Sequence, residues 1–228
     1  MRIYEMVKNR WKESMQTRES IKHLWYWLGA MGVFLLCEIV INEADCYPVR
    51  IPLDDLLPFS QFFVIFYVLW YFLILGTIIW FFFRNSGGLK SFLGYMTVCQ
   101  LSAVVIFLLW PTKQELRPEV ILGDDIFSWA VRLIYRVDTN TNVCPSLHVC
   151  YSFALLSVWS KEGKCFSTKA MYAVLCALIC LSTVMIKQHS VLDFIVALPV
   201  CAFAEIVTYA DFWKEKFAKT EILRKKPN

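Results

Sequence analysis

Charge is scarce in this chain: 18% of its 228 residues carry a formal charge, against about 25% in ordinary soluble domains. With 58% hydrophobic and 16% aromatic residues, it has too little polar surface for a soluble globule. Glycine and proline are also sparse, eight of each, and no Gly/Ser linker, repeat or low-complexity tract breaks the sequence, which excludes disordered and fibrous classes. No His-Glu-x-x-His and no paired-cysteine zinc spacing is present. The net charge of +4 arises from 23 basic and 19 acidic residues. The basic residues crowd at the two ends, so anionic lipid headgroups, not nucleic acid, are the expected partner.

What remains is apolar runs. Six are marked, Leu24 to Ile41, Phe59 to Phe83, Phe92 to Trp110, Pro145 to Trp159, Ala170 to Ile186 and Val191 to Tyr209, most near the roughly 20 residues that a spanning helix needs. The fold expected is all-α: a six-span transmembrane helical bundle, one integral-membrane domain over 1–228. Its tails lie at about 1–22 and 214–228 and its candidate motifs between 113 and 193. The N-terminal stretch runs too long before its first apolar segment for a cleavable signal, so the first span is expected to be retained. Seventeen of the 23 basic residues fall in the N-terminal segment, the Arg84 to Lys90 loop, the Lys161 to Lys169 loop and the tail from Lys214. Because cytoplasmic loops carry the excess of Lys and Arg, both termini are expected to be cytoplasmic. Loops 42–58, 111–144 and 187–190 then face outward, and short loops and small size point to a bacterial cell membrane.

Six of the nine cysteines, Cys37, Cys99, Cys150, Cys176, Cys180 and Cys201, sit inside apolar runs, where a thiol acts as a small hydrophobe. Cys46 and Cys144 share the outward side, and a bridge between them is left open. In the long third loop, Asp124 and Asp125 precede an apolar stripe at helical spacing: Ile126, Phe127, Trp129, Ala130, Leu133, Ile134 and Val137. Arg132 and Arg136 are expected on the other side. This predicts an interfacial helix with an acidic start that suits the helix dipole, serving either as a cover over the bundle or as a lip for a lipid.

Two of the three histidines stand in polar clusters at the outward ends of spans four and six. Polar residues at such depth are costly and mark functional sites by default. His189 and Asp193 are four apart, one turn of a helix, so the carboxylate can hold one ring nitrogen protonated and leave the other as a nucleophile. Read structurally, the same pair is a buried hydrogen-bonded couple. Pro145 and Ser146 suit a helix N-terminus, where free N–H groups bind anions, with the Ser146 hydroxyl as an added donor. His148, just inside, can give a proton to a leaving alkoxide, or is a polar interface residue. Lys113, Arg117 and Lys187 add cations, and only Arg117 offers a planar fork to two phosphate oxygens. Together these residues describe a phosphate-handling pocket. Metal binding by two histidines and an aspartate is disfavoured by the ring of cations, and no cofactor is expected.

From Trp110 to Asp193 the residues resemble the type 2 phosphatidic acid phosphatase superfamily of six-span lipid phosphate phosphatases and related phosphosphingolipid transferases. The likeness rests on Arg117-Pro118, on Pro145-Ser146-Leu147-His148, and on Ser182-Thr183 followed by His189 and Asp193. It implies His189 as the nucleophile forming a phosphohistidine, Asp193 as its orienting partner, His148 as the acid for the leaving group, and Arg117 and Ser146 as phosphate binders, with no metal. Three positions depart from the family pattern. Trp110 stands where the first motif has lysine, with Lys113 as the substitute offered. Leu147 fills the glycine position, as in the branch resembling inositol phosphorylceramide synthases. Thr183 replaces an arginine whose charge Lys187 is expected to supply.

The leading functional expectation is therefore a metal-independent hydrolase of lipid monophosphates or diphosphates. The alternative is a headgroup transferase in which an alcohol replaces water. A third reading, a lipid transporter or binding protein, would use Glu38, Glu205 and Asp193 as pathway residues. It places Glu38 and Glu205 toward the cytoplasmic or middle portions of their spans, away from the histidines.

Overall fold

The structure is a computed structural model describing residues 2–163 and 165–224, with side chains over 18–163 and 165–214. It is 77% helix and 3% strand. Most of the basic side chains of both tails, and Lys164, lie outside the described residues. In chain order the helices are α1 (Arg2–Val40), α2 (Pro52–Leu56), α3 (Val64–Arg84), α4 (Ser86–Leu109), α5 (Ile126–Val137), α6 (Leu147–Glu162), α7 (Phe166–Met185) and α8 (Val191–Arg224). Two short strands, β1 (Tyr47–Pro48) and β2 (Thr112–Lys113), pair in parallel and tie the segment after α1 to the segment after α4.

Five segments are long and apolar enough to cross a membrane, Arg18–Val40, Gln61–Arg84, Ser86–Leu109, Phe166–Met185 and Val191–Lys214, so the chain reads as an integral membrane protein. The expected fourth span differs. It forms α6, whose 16 residues make a rod of about 24 Å with serines and charges near its far end. His148, Val149, Cys150, Tyr151, Ser152, Ala154, Leu155 and Val158 are all buried, because α6 packs against α3, α4, α7 and α8. A helix enclosed by other helices need not match a bilayer in length or composition.

Loop boundaries also shift. The Arg84 to Lys90 stretch is not a loop: Asn85 alone joins α3 to α4, its side chain accepting from Gly88 N at 3.0 Å. A Cβ on Gly88 would lie 2.7 Å from the Phe81 ring, so glycine is what lets α4 start against the end of α3. The core runs through α3, α4, α6, α7 and α8, with Phe92, Met96, Tyr151, Leu155 and Ile179 among its buried side chains. Within α8, Pro199 is accommodated, and the backbone departs from helical values at Tyr209.

The helix expected after Asp124 is present as α5. Asp125 caps it, accepting from Phe127 N at 2.9 Å and Ser128 N at 3.1 Å, a standard use of aspartate at an N-cap. Its apolar stripe divides, contrary to the single face expected. Val131 and Ile134 are buried against Val64, Tyr67 and Ile186 with Phe127 and Ala130 beside them, whereas Ile126, Trp129, Leu133 and Val137 are exposed. Arg132 is not simply solvated: it donates to the carbonyls of Ile121 and Gly123. Gly123 adopts φ +100° there, a conformation that favours glycine. Cys46 and Cys144 do not pair; both are free and buried.

Candidate functional site

The first turn of α8 and the turn before it carry the histidine–aspartate pair. At the end of α7, the carbonyl of Thr183 accepts from both Gln188 N and His189 N at 3.0 Å, and Lys187 takes φ +56°, so the chain reverses tightly and re-enters a helix at Val191. Asp193, fully buried, accepts through Oδ2 from His189 Nδ1 at 3.1 Å and from Ser190 N at 3.0 Å. With the proton fixed on Nδ1, the Nε2 lone pair of His189 is free to attack.

Helix α6 brings the second histidine. Ser146 is its N-cap and is fully buried, with Oγ accepting from Val149 N at 3.5 Å. Its backbone N–H donates to the Asp193 carbonyl at 3.3 Å, which fastens the starts of α6 and α8 to each other. The His148 ring lies 5.7 Å from the His189 ring, centroid to centroid, and 4.3 Å from the rings of both Tyr67 and Trp70 on α3. The two aromatic faces sandwich the imidazole and fix its orientation. His148 Nε2 is buried and has no hydrogen-bond partner among the described residues; such an orphan calls for a ligand or a role.

Arg117 reaches this assembly through Gln188. Its guanidinium donates to the carbonyls of Tyr135, Asp138 and Thr139 at 3.2, 2.9 and 2.9 Å and to Gln188 Oε1 at 2.9 Å, and it stacks over the Tyr135 ring at 4.5 Å. Burial lowers its pKa from the usual arginine value. The fork expected to be open for phosphate is thus largely engaged by the protein, and its Nε has no partner among the described residues.

The other two cations are directed elsewhere. Lys113, in β2, forms an ion pair with Glu115 at 3.0 Å, which raises its pKa. Lys187 is buried, and its ammonium donates to the carbonyls of Asp54 and Leu57 at 2.7 Å each; burial lowers its pKa. Neither cation is hydrogen-bonded to the histidine assembly, so the substitution of Lys187 for the missing arginine finds no support in its contacts. A left-handed backbone at Lys187 aims its side chain across the turn toward α2.

Several residues here were not singled out from the sequence. Tyr67, Trp70 and Tyr71 read as ordinary core in an apolar run, yet they wall His148, and Tyr67 donates to Asp138 Oδ2 at 2.5 Å. Glu38 is not remote from the histidines. It accepts from Asn142 Nδ2 at 2.8 Å and from the Thr139 hydroxyl, holding the segment whose carbonyls bind Arg117. Glu205 does lie far along α8, about 18 Å from Asp193 by helix rise, paired with Lys161 at 2.6 Å. Comparison with family models, curated proteins and solved structures finds no match to this chain.

Proposed function

We propose that the protein is an integral-membrane hydrolase of lipid phosphates, acting through a phosphohistidine without a metal, on the six-span plan of the type 2 phosphatidic acid phosphatase superfamily. In this reading α6 is the fourth span and α5 is the interfacial helix. Both termini are cytoplasmic, the histidine end faces away from the cytoplasm, and the setting is a bacterial cell membrane. The observation that carries the proposal is the His189–Asp193 pair with the unpartnered Nε2 of His148 across from it. One imidazole is oriented to attack and a second is positioned to move a proton.

The chemistry follows from the pair. His189 Nε2 attacks phosphorus and forms the N–P bond as the bond to the lipid alkoxide breaks. A protonated His148 gives its proton to that alkoxide. Water then attacks the phosphohistidine, His148 takes up the water's proton, and inorganic phosphate leaves with His189 restored. Ser146 and the N-terminus of α6 supply donors for the phosphate oxygens. Arg117, held by the carbonyls of Tyr135, Asp138 and Thr139 and bonded to Gln188 beside His189, contributes a fixed positive charge near the phosphate.

The test is phosphate release from purified protein in detergent, with a panel of lipid monophosphates and diphosphates, beside His189→Ala. Release that needs no added metal and is lost in the variant supports the proposal. Turnover retained by His189→Ala refutes the nucleophile. Headgroup transfer seen only with an added alcohol acceptor would make the protein a transferase on the same residues.

A further inference from the structure

We infer that Asp54, in α2, is a positioning residue for His189, a role that rests on the catalytic reading of the His189–Asp193 pair. Asp54 is 1% exposed although it sits in a five-residue helix between the exposed Leu53 and Leu56. Its carboxylate is fully committed. Oδ2 accepts from Ser190 Oγ at 2.7 Å and from its own helix start, Ile51 N, at 2.8 Å; Oδ1 accepts from Val191 N at 2.7 Å. Its backbone carbonyl accepts from Lys187 Nζ at 2.7 Å.

Asp54 therefore grips the α7–α8 turn on both sides of His189, at Lys187 two residues before and at Ser190 and Val191 just after. Inside the turn, Asp193 holds His189 Nδ1 and Ser190 N. The two carboxylates divide Ser190 between them, Asp193 taking its N–H and Asp54 its hydroxyl. A change of φ or ψ at Ser190 breaks one of these bonds. A carboxylate at the start of α8 also meets the positive end of that helix dipole. Orientation of this kind acts on the rate of the chemical step, because displacement of an attacking atom by about 1 Å can cost on the order of 100-fold.

The chain has three histidines, so a ¹⁵N-histidine-labelled protein in detergent gives three resolvable ring systems, assigned with His23→Gln, His148→Gln and His189→Gln. At one fixed pH, Asp54→Asn is expected to shift or broaden the His189 ring signals and leave those of His23 in place. It should lower kcat by about 10- to 100-fold with KM unchanged, a split that general loosening of the fold would not produce. Asp54→Glu should recover part of the loss. Ser190→Ala, which removes only the hydroxyl arm, should give the same pattern in smaller degree, and it decides the matter if Asp54→Asn does not fold. Folded variants with unmoved His189 signals overturn the inference, whether or not the wild type hydrolyses lipid phosphate. Absence of hydrolysis by the wild type overturns the enzymatic reading separately, because the ring signals are read without turnover.

Discussion

Asp193→Asn separates an oriented nucleophile from a merely buried hydrogen-bonded couple. The carboxylate accepts from two donors through one oxygen, Ser190 N at 3.0 Å and His189 Nδ1 at 3.1 Å. Because both donors meet that one oxygen, an asparagine oxygen in the same place keeps both bonds, and what the variant removes is the negative charge that stabilises the cationic ring formed when His189 Nε2 bonds to phosphorus. A hydrogen bond to a charged group is worth about 1.5–3 kcal/mol, which is about 10- to 150-fold in rate. We expect a loss of that order here. Folding should change little, because the variant loses charge-assisted bonds but no longer has to desolvate a buried carboxylate. The assay is a rapid-quench measurement of acid-labile, alkali-stable phosphoprotein from radiolabelled lipid phosphate, with a melting curve in the same detergent. A folded Asp193→Asn protein that forms phosphoenzyme at the wild-type rate would refute the charge argument and leave the pair a packing feature.

Lys187→Ala should lower stability by about 1–3 kcal/mol, because two carbonyls at the end of α2 lose their donor, while KM for the lipid phosphate stays at the wild-type value; denaturation and steady-state kinetics check the two halves. Tyr67→Phe removes the hydroxyl bond to Asp138 but keeps the ring against His148, so a loss of about 1.5 kcal/mol in stability with turnover retained is expected from thermal melts and phosphate release. Cys165 is exposed, and hydrogen bonds from Ser167 and Thr168 lower its pKa to about 7. Its maleimide labelling should rise with pH up to about 7 and then level, since thiolate is the reactive form. Burial raises the pKa of Cys144, so that thiol should label only on unfolding, as mass spectrometry of the labelled peptides would show.

Much of the site's local grammar is written along the chain. His189 and Asp193 lie four apart, and although the helix begins only at Val191, the turn at Ser190 brings the histidine back over the first helical turn, where the aspartate holds it at 3.1 Å. Ser146 and Asp125 cap helices at positions where their side chains reach the next two or three N–H groups. Apolar runs mark helices because each is long enough to bury or to face lipid along its own length. All of these interactions span a few residues, so they survive whatever packing follows.

Packing alone decided the rest. The cations of Lys113, Arg117 and Lys187 occupy the same stretch of sequence as the histidines, yet Glu115, a set of backbone carbonyls and α2 claim them. A long flexible side chain goes to its nearest strong acceptor in space. Glu38 looked distant and is bound to Asn142, because the end of α1 comes down beside the segment after α5. Asp54, 136 residues from Ser190, carried no sign in a loop of mixed polar and apolar residues. The division of the α5 stripe into buried and exposed halves required α3 to be in place. The sequence by itself determined the helices, their caps and the histidine–aspartate pair, since these depend on hydropathy and on spacing within a turn or two. The tertiary structure decided which charges serve the pair and which serve the frame, because that choice is made by acceptors brought from distant parts of the chain.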